Sequence, residues 1–133
     1  QVIADYAHTP DAIKKVISAT KDFYQDQKIL VVFQPHQYAR TKNLFTDFVE
    51  AFDKAGKVLL PDIFYVEGRE KPEDFDVSSQ KLAEAIKARN IDVEASGNLS
   101  ESEERVRILA DQYDLILILG AGNIYELAKR LVK

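Results

Sequence analysis

Short apolar runs alternate with amphipathic segments along the whole chain. The runs have the length of strands that are buried on both faces of a parallel sheet. They are residues 2–3, 29–33, 58–60, 91–95 and 115–119, with 63–66 extending the third run. Between them, apolar side chains recur every three or four residues, as in helices that bury one face. The alternation predicts an α/β fold, with a mostly parallel sheet of about six strands and helices on both faces.

Residues that commonly cap helix N-termini precede the predicted helices. They are Thr9, Thr41, Ser78 or Ser79, and Ser100. Ser100 is followed three residues later by Glu103, which is the spacing of a capping box. The first two helices are expected over residues 10–24 and 41–56, and the polar residues 67–77 are expected to form a loop long enough for a flap.

Composition and charge exclude several classes of protein. The 133 residues suffice for one domain with its own core. A net charge of −4 argues against general nucleic-acid binding. The chain has no Cys, so it has no disulfide, thiolate metal site or Cys nucleophile. No apolar run reaches the roughly 18 residues of a membrane span. Met is absent even at position 1, so we expect a domain from a longer protein.

Three of the predicted strands end in polar or glycine-rich segments. They are DYAHTPD (5–11), QPHQYART (34–41) and GAGN (120–123). Ligands of open α/β sheets gather at the carboxyl ends of the strands, and both histidines of the chain, His8 and His36, lie at such ends. Arg40 with His36 could clamp a carboxylate through its planar fork of donors, and a merely solvated Arg40 is the alternative.

Other kinds of site are disfavoured or absent. The GAGN turn resembles half of a dinucleotide fingerprint, but Tyr125 stands where the third glycine belongs, so a simple tight turn is at least as good an interpretation. No phosphate-binding P-loop and no G-x-S-x-G motif occur. Two histidines without a nearby pair of carboxylates make a poor catalytic metal site, so we expect no metal ligands here.

The motifs together resemble a known family. DYAHTPD, then VVFQPHQYARTKNLFTDF, LPDIFYVEGREKP and LILILGAGNIYEL follow one another from Asp5 to Leu127. In this order they resemble the C-terminal domain of the Mur ligases, and within that family the members that add L-alanine. The resemblance implies a three-layer Rossmann-like domain. The first strand of the family is usually antiparallel to the others, so both directions are open for this strand.

The resemblance also implies a reaction. A full Mur ligase has an N-terminal domain for the UDP-sugar, a central P-loop domain for ATP and Mg²⁺, and the C-terminal domain, which completes the site. ATP phosphorylates the carboxylate of UDP-N-acetylmuramate, and the amine of L-alanine attacks the acyl phosphate. Residues 1–133 would then be one domain, inactive alone, of a cytoplasmic bacterial enzyme for peptidoglycan precursors, with no nucleic-acid or membrane partner.

Particular residues match the family's site. Asp5 matches an acidic residue that helps hold ATP, and Tyr6 and His8 match side chains at the reacting end. His36 and Arg40 match the pair near the amino-acid carboxylate, and Asn123 matches the turn that approaches the same pocket. The resemblance implies that His8 and Arg40 are catalytic. This chain departs from many relatives at two positions: Thr9 stands where they have a His, and Gln37 stands where they have an Arg. Arg40 would therefore carry more of the clamp on the amino-acid carboxylate.

The sequence leaves three alternatives open. One is a ligase domain that recycles murein tripeptide with the same sugar nucleotide. Another is a non-catalytic Rossmann-like binding module. The third is a dinucleotide-dependent oxidoreductase that binds its cofactor at residues 120–123.

Overall fold

The computed structural model describes residues 1–132 and contains five strands and six α-helices. The strands are β1 Val2–Asp5, β2 Ile29–Phe33, β3 Lys57–Pro61, β4 Asp92–Gly97 and β5 Leu115–Leu119. The helices are α1 Pro10–Phe23, α2 Tyr38–Asn43, α3 Phe45–Glu50, α4 Ser79–Lys87, α5 Leu99–Leu109 and α6 Ile124–Leu131. Short 3₁₀ turns occur at Pro72–Asp74 and Ala110–Gln112.

The strands form one sheet in the order β1-β5-β2-β3-β4, and every pairing is parallel. The parallel α/β prediction is confirmed, but the sheet has five strands rather than about six, and β1 is not antiparallel. Residues 63–66 add no strand, because they lie beyond the sheet and bond to the loop after β2. Phe64 there accepts from the backbone N–H of Gln37 at 2.9 Å and donates to Pro35 O at 2.8 Å.

Helices cover both faces of the sheet, as the alternation predicted. On one face, α1, α3 and α4 pack against side chains such as Val31, Phe33 and Leu117. On the other face, α5 and α6 pack against the alternate side chains of the same strands, including Val32 and Ile118. Because successive side chains of a strand point to opposite faces, an unbroken apolar run is what a three-layer domain requires.

The segment after β2 differs from the single helix expected over residues 41–56. Helix formation begins earlier, at Tyr38, and the backbone breaks at Leu44, whose φ of −110° and ψ of 22° are not helical. Two six-residue helices result. The predicted opening residue, Thr41, is instead buried inside α2, where its hydroxyl donates to Gln37 O at 2.8 Å.

Of the four predicted caps, two are confirmed and two are wrong, one of the wrong ones being Thr41, which lies inside α2. The Thr9 hydroxyl accepts from Ala12 N at 3.3 Å, and Ser78 caps α4 in the same way. The capping box of α5 is formed by Asn98 and Glu101, not by Ser100 and Glu103. Strand β4 ends at Gly97, two residues later than expected, and the N-cap of α5 is Asn98, two residues before the predicted Ser100.

Within residues 1–132, no helix combines the length and apolar character that crossing a membrane requires.

Candidate functional site

The site predicted from the strand ends lies at a topological switch point of the sheet. Strands β2 and β5 are neighbours, and Phe33 pairs with Leu119 at their carboxyl ends. The chain leaves β2 toward the face covered by α3 and leaves β5 toward the face covered by α6. Such opposite departures open a crevice at the carboxyl ends, where ligands of open α/β sheets bind. The segments after β1, β2 and β5 all reach this edge.

The two histidines lie together at this edge. His8 follows β1 and His36 follows β2, and their ring centroids are 6.3 Å apart. Tyr6 packs edge-on against His8 at 5.4 Å, while its own side chain is 70% exposed. His8 Nδ1 lies 3.1 Å from Tyr6 O. A proton on Nδ1 that is donated to this carbonyl leaves Nε2 with its lone pair toward solvent or a ligand.

His36 and Arg40 form a pair on the same segment. Arg40 Nη1 is 3.4 Å from His36 Nδ1, and both side chains are half-buried. Burial, the Arg40 charge and His8 lower the pKa of His36, against a smaller opposing effect of Glu70. His36 is therefore neutral at pH 7, and Arg40 supplies the positive charge of the pair. One guanidinium beside a neutral imidazole can receive a carboxylate without bringing two cations together.

The glycine-rich turn after β5 packs against the chain itself. A Cβ on Gly122 would lie 2.6 Å from Phe64 Cγ and 2.8 Å from Gln34 Oε1. Phe64 in turn stacks on the His36 ring, with centroids 5.3 Å apart and planes 16° apart. The close approach that this glycine permits is occupied by protein side chains rather than left for a pyrophosphate. This favours the tight-turn interpretation over a dinucleotide site.

Asn123 lies in the same turn, and its side chain hydrogen-bonds to Gln34 rather than to another predicted residue. Its Oδ1 accepts from Gln34 Nε2 at 2.7 Å, and Gln34 Oε1 accepts from Ile124 N at 3.3 Å. The Gln34 side chain thus ties the turn after β5 to the segment that carries His36.

Asp5 lies on the outer side of the site, at the end of the edge strand β1. Its Oδ1 accepts from Ala7 N at 2.8 Å, which fixes the turn toward His8 and uses one of its two carboxylate oxygens. A cavity of about 300 Å³ next to it is lined by Asp5, Tyr6, Gly120 and Tyr125, among others. The exposed carboxylate can accept hydrogen bonds from the hydroxyl groups of a ligand, and the two tyrosines offer aromatic surface for a ring of that ligand.

The carboxyl-end edge of the sheet is distinguished neither by a cluster of metal ligands nor by the size of its cavity. Across residues 1–132, no three His, Asp or Glu side chains gather closely enough to hold a metal ion. Two cavities, of about 370 and 420 Å³, lie away from the carboxyl ends of the strands and include none of the predicted site residues.

Three further residues shape the site and were not predicted. Gln34 and Phe64 pack around the turn and the His36 ring, and Glu70 lies near the start of α2. The signal for Gln34 was present, because a polar residue directly continues a buried apolar run. Phe64 gave no signal, because its apolar run was interpreted as a strand. Glu70 gave none either, because the polar residues around it were interpreted as a surface loop.

Comparisons with known proteins identify relatives of this chain in sequence and in fold. The chain is 39% identical over 132 residues to a UDP-N-acetylmuramate–L-alanine ligase of a Sulfurihydrogenibium species and to that of Caldanaerobacter subterraneus, in each case over 99% of this chain. It spans 28% of the length of these relatives. Among solved structures, the UDP-N-acetylmuramate–alanine ligase of Thermotoga maritima matches 98% of the chain and 25% of its own, with a TM-score of 0.73 and 25% identity.

A family model describes the region that these proteins share. The model "Mur ligase, glutamate ligase domain" matches residues 1–122, which include all the strands and every candidate site residue up to the turn after β5. The chain therefore belongs to the Mur ligase family and carries the fold of its C-terminal, glutamate ligase domain.

Proposed function

We propose that this chain is the C-terminal domain of an ATP-dependent ligase that joins L-alanine to UDP-N-acetylmuramate. The single observation that carries the proposal is the convergence of His8, His36 and Arg40 at the switch point of the sheet. The relatives named for this activity align over nearly the whole chain, which favours L-alanine as the amino acid.

Arg40 and His36 are proposed to hold the carboxylate of the incoming amino acid. Arg40 can donate two parallel hydrogen bonds to a carboxylate, and neutral His36 can donate a further one from its ring. The pair is half-buried, so the ion pair is less screened there than on an open surface. Fixing the carboxylate orients the amine of the same molecule, and orientation of this kind supplies much of the rate in acyl transfer.

His8 and Tyr6 are proposed to face the reacting end. L-alanine attacks the acyl phosphate as a neutral amine, and its nitrogen must then lose a proton; Nε2 of His8 is the acceptor in the tautomer that Tyr6 O favours. The new C–N bond forms as the amine attacks, the proton passes to His8, and phosphate leaves with its bonding electrons. The Arg40 charge also stabilises the anionic intermediate.

Asp5 is proposed to contact ATP from the side of this domain. The cavity beside it lies at the lower end of the volumes of small-molecule pockets and suits a nucleoside better than a whole nucleotide. ATP supplies the phosphoryl group that activates the sugar carboxylate. In the proposal, Mg²⁺ and the phosphates are held mainly by the central P-loop domain of the full-length enzyme.

The proposal includes the setting of the domain. Residues 1–133 act as one domain of a longer three-domain enzyme, and the other two domains bring the sugar nucleotide and the P-loop. The reaction takes place in the bacterial cytoplasm. Asn123 contributes through the turn that it shares with Gln34 rather than through a contact that the structure shows with Arg40.

Phosphate release by the full-length protein tests the proposal. The assay contains ATP, Mg²⁺ and UDP-N-acetylmuramate, with either L-alanine or murein tripeptide as the amine. We expect release that requires L-alanine. Release only with the tripeptide would assign the protein to the recycling ligases, and release with neither would favour a non-catalytic binding module.

A further inference from the structure

Glu70 connects two segments next to the proposed carboxylate site. It lies in the segment between β3 and α4, and its carboxylate is partly buried. Oε1 accepts from the backbone N–H of Tyr38 at 3.1 Å, and Oε2 accepts from that of Val66 at 3.0 Å. One carboxylate therefore joins the first residue of α2 to the strand-like segment that follows β3.

Helix α2 lacks a cap of its own. Its N-cap residue, Gln37, makes no side-chain capping hydrogen bond and has a φ of +68°, in the left-handed region. The first N–H groups of a helix need acceptors, and a negative charge near them is favourable. Glu70 supplies both from another part of the chain, at the residue that follows Gln37.

The hydrogen bond at Tyr38 lies midway between His36 and Arg40. Movement of this backbone N–H would change the separation and the angle of the two side chains. The groups that face His36 come from three elements: Arg40 from α2, His8 from the loop after β1, and Glu70. Glu70 is the only anion among them.

We propose that Glu70 is a positioning residue, which fixes the start of α2 so that His36 and Arg40 together receive a carboxylate. The identity of that carboxylate, as part of an amino acid, rests on the proposed function. The positioning itself depends only on the contacts of residues 36–40 with the loop.

Lys42 offers a matched control, because it fastens the same loop to the same helix at another point. Its Nζ donates to Glu73 O at 2.9 Å and pairs with Asp76 at 3.2 Å. Removing the charge of Lys42 releases the later part of the loop and leaves the Tyr38 N–H contact intact. Substitution of either Glu70 or Lys42 would therefore loosen the loop in general. Only substitution of Glu70 would also disturb the positions of His36 and Arg40.

Two NMR readouts on this chain test the proposal without any assay of ligation. The chain contains only two histidines, so the pH titration of each ring can be followed separately. In Glu70→Gln we expect the pKa of His36 to fall further, because the one nearby anion is lost, while Lys42→Gln leaves it near the wild-type value. We also expect exchange of the Tyr38 N–H with water to accelerate about tenfold, the effect of losing one hydrogen bond to a charged group.

Glu70→Asp separates charge from position and covers the case in which the Gln variant does not fold. The shorter side chain keeps the anion but cannot span Tyr38 and Val66 together, so we expect faster exchange at Tyr38 with a smaller change in the pKa of His36. Wild-type exchange and an unchanged His36 titration in both variants, or equal changes in Lys42→Gln, would overturn the proposal.

Kinetics of the full-length enzyme connect the positioning to function. We expect Glu70→Gln to raise KM for L-alanine about tenfold with a smaller change in kcat, and Lys42→Gln to change neither. If Arg40→Gln itself leaves KM for L-alanine unchanged, the carboxylate assignment fails, while the NMR results still decide whether Glu70 positions the pair.

Discussion

Replacing Gly122 with alanine adds one methyl group at the centre of the site. The new Cβ would lie 2.6 Å from Phe64 Cγ, 2.9 Å from Phe64 Cδ1 and 2.8 Å from Gln34 Oε1. Gly122 is not among the residues with positive φ, so alanine can adopt its backbone conformation. The effect of Gly122→Ala is therefore steric, and it falls on the two side chains that border His36 and the turn.

The distances set the size of the effect. Carbon atoms in contact prefer a separation of about 3.5–4.0 Å, so Phe64 must retreat by about 1 Å. Phe64 is stacked on His36, and Gln34 is held by Asn123 and by Ile124 N, so neither can move without losing a contact. Overpacking of this kind costs about 1–3 kcal/mol. We expect Gly122→Ala to reduce the free energy of unfolding by that amount and to displace the His36 ring.

Urea unfolding of the 133-residue chain, followed by circular dichroism, measures the free energy of unfolding. Gly56→Ala is the matched control, because its Cβ would meet only Ile29 O, at an ordinary 3.7 Å. That variant should be unchanged or more stable by up to about 1 kcal/mol. With the m-value of a small protein, the Gly122→Ala midpoint should fall by about 1 M urea.

The His36 signals provide the second half of the test. Gly122→Ala should shift them, whereas Gly56→Ala should not. A Gly122→Ala protein as stable as wild type, with unchanged His36 signals, would show that the turn does not pack against Phe64 as described, and the structural link between the GAGN motif and His36 would be refuted.

Three further predictions concern other parts of the chain. Because burial, Arg40 and His8 lower the pKa of His36, the unfolded chain takes up this proton first, so His36 makes folding less favourable as the pH falls below about 6.5. Arg40→Gln should raise the pKa of His36 and weaken that loss, and an unchanged NMR titration contradicts the pairing. Asn98→Ala should lower the free energy of unfolding by about 1 kcal/mol in urea, whereas Ser100→Ala should leave it nearly unchanged. A larger loss for Ser100→Ala than for Asn98→Ala would instead support the capping box predicted from the sequence. Phe52 is fully buried, with its ring centroid 5.6 Å from that of Phe33. Phe52→Ala should therefore cost about 3–5 kcal/mol, and a loss below about 1 kcal/mol would mean that its side chain is not part of the core.

The strands could be predicted because an apolar run buried on both faces is a local signal. The run 115–119 needed no knowledge of its neighbours to be identified as a strand. Pairing is not local, however, so neither the place of β5 between β1 and β2 nor the parallel direction of β1 followed from the pattern. The prediction of an extra strand at 63–66 was wrong because pairing is not local: Phe64 hydrogen-bonds to the loop after β2 rather than to a strand.

The site was partly predictable. The strand ends identified His8, His36 and Arg40, because parallel strands bring their carboxyl ends to one edge. The supporting contacts of Glu70 depend on how the loop folds back on α2, which no spacing in the sequence encodes. Tertiary contacts of this kind decide the orientation of a side chain whose approximate place the sequence already indicates.

The claim that Arg40 receives the carboxylate of the amino acid can be tested with two amines, L-alanine and L-alaninamide, in the full-length enzyme. The amide keeps the nucleophile and lacks the carboxylate. We predict that Arg40→Gln lowers kcat/KM for L-alanine by about 10- to 100-fold, the loss of a charged hydrogen-bonded contact, and leaves that for the amide nearly unchanged. Equal losses for the two amines, or no loss for either, would contradict the account.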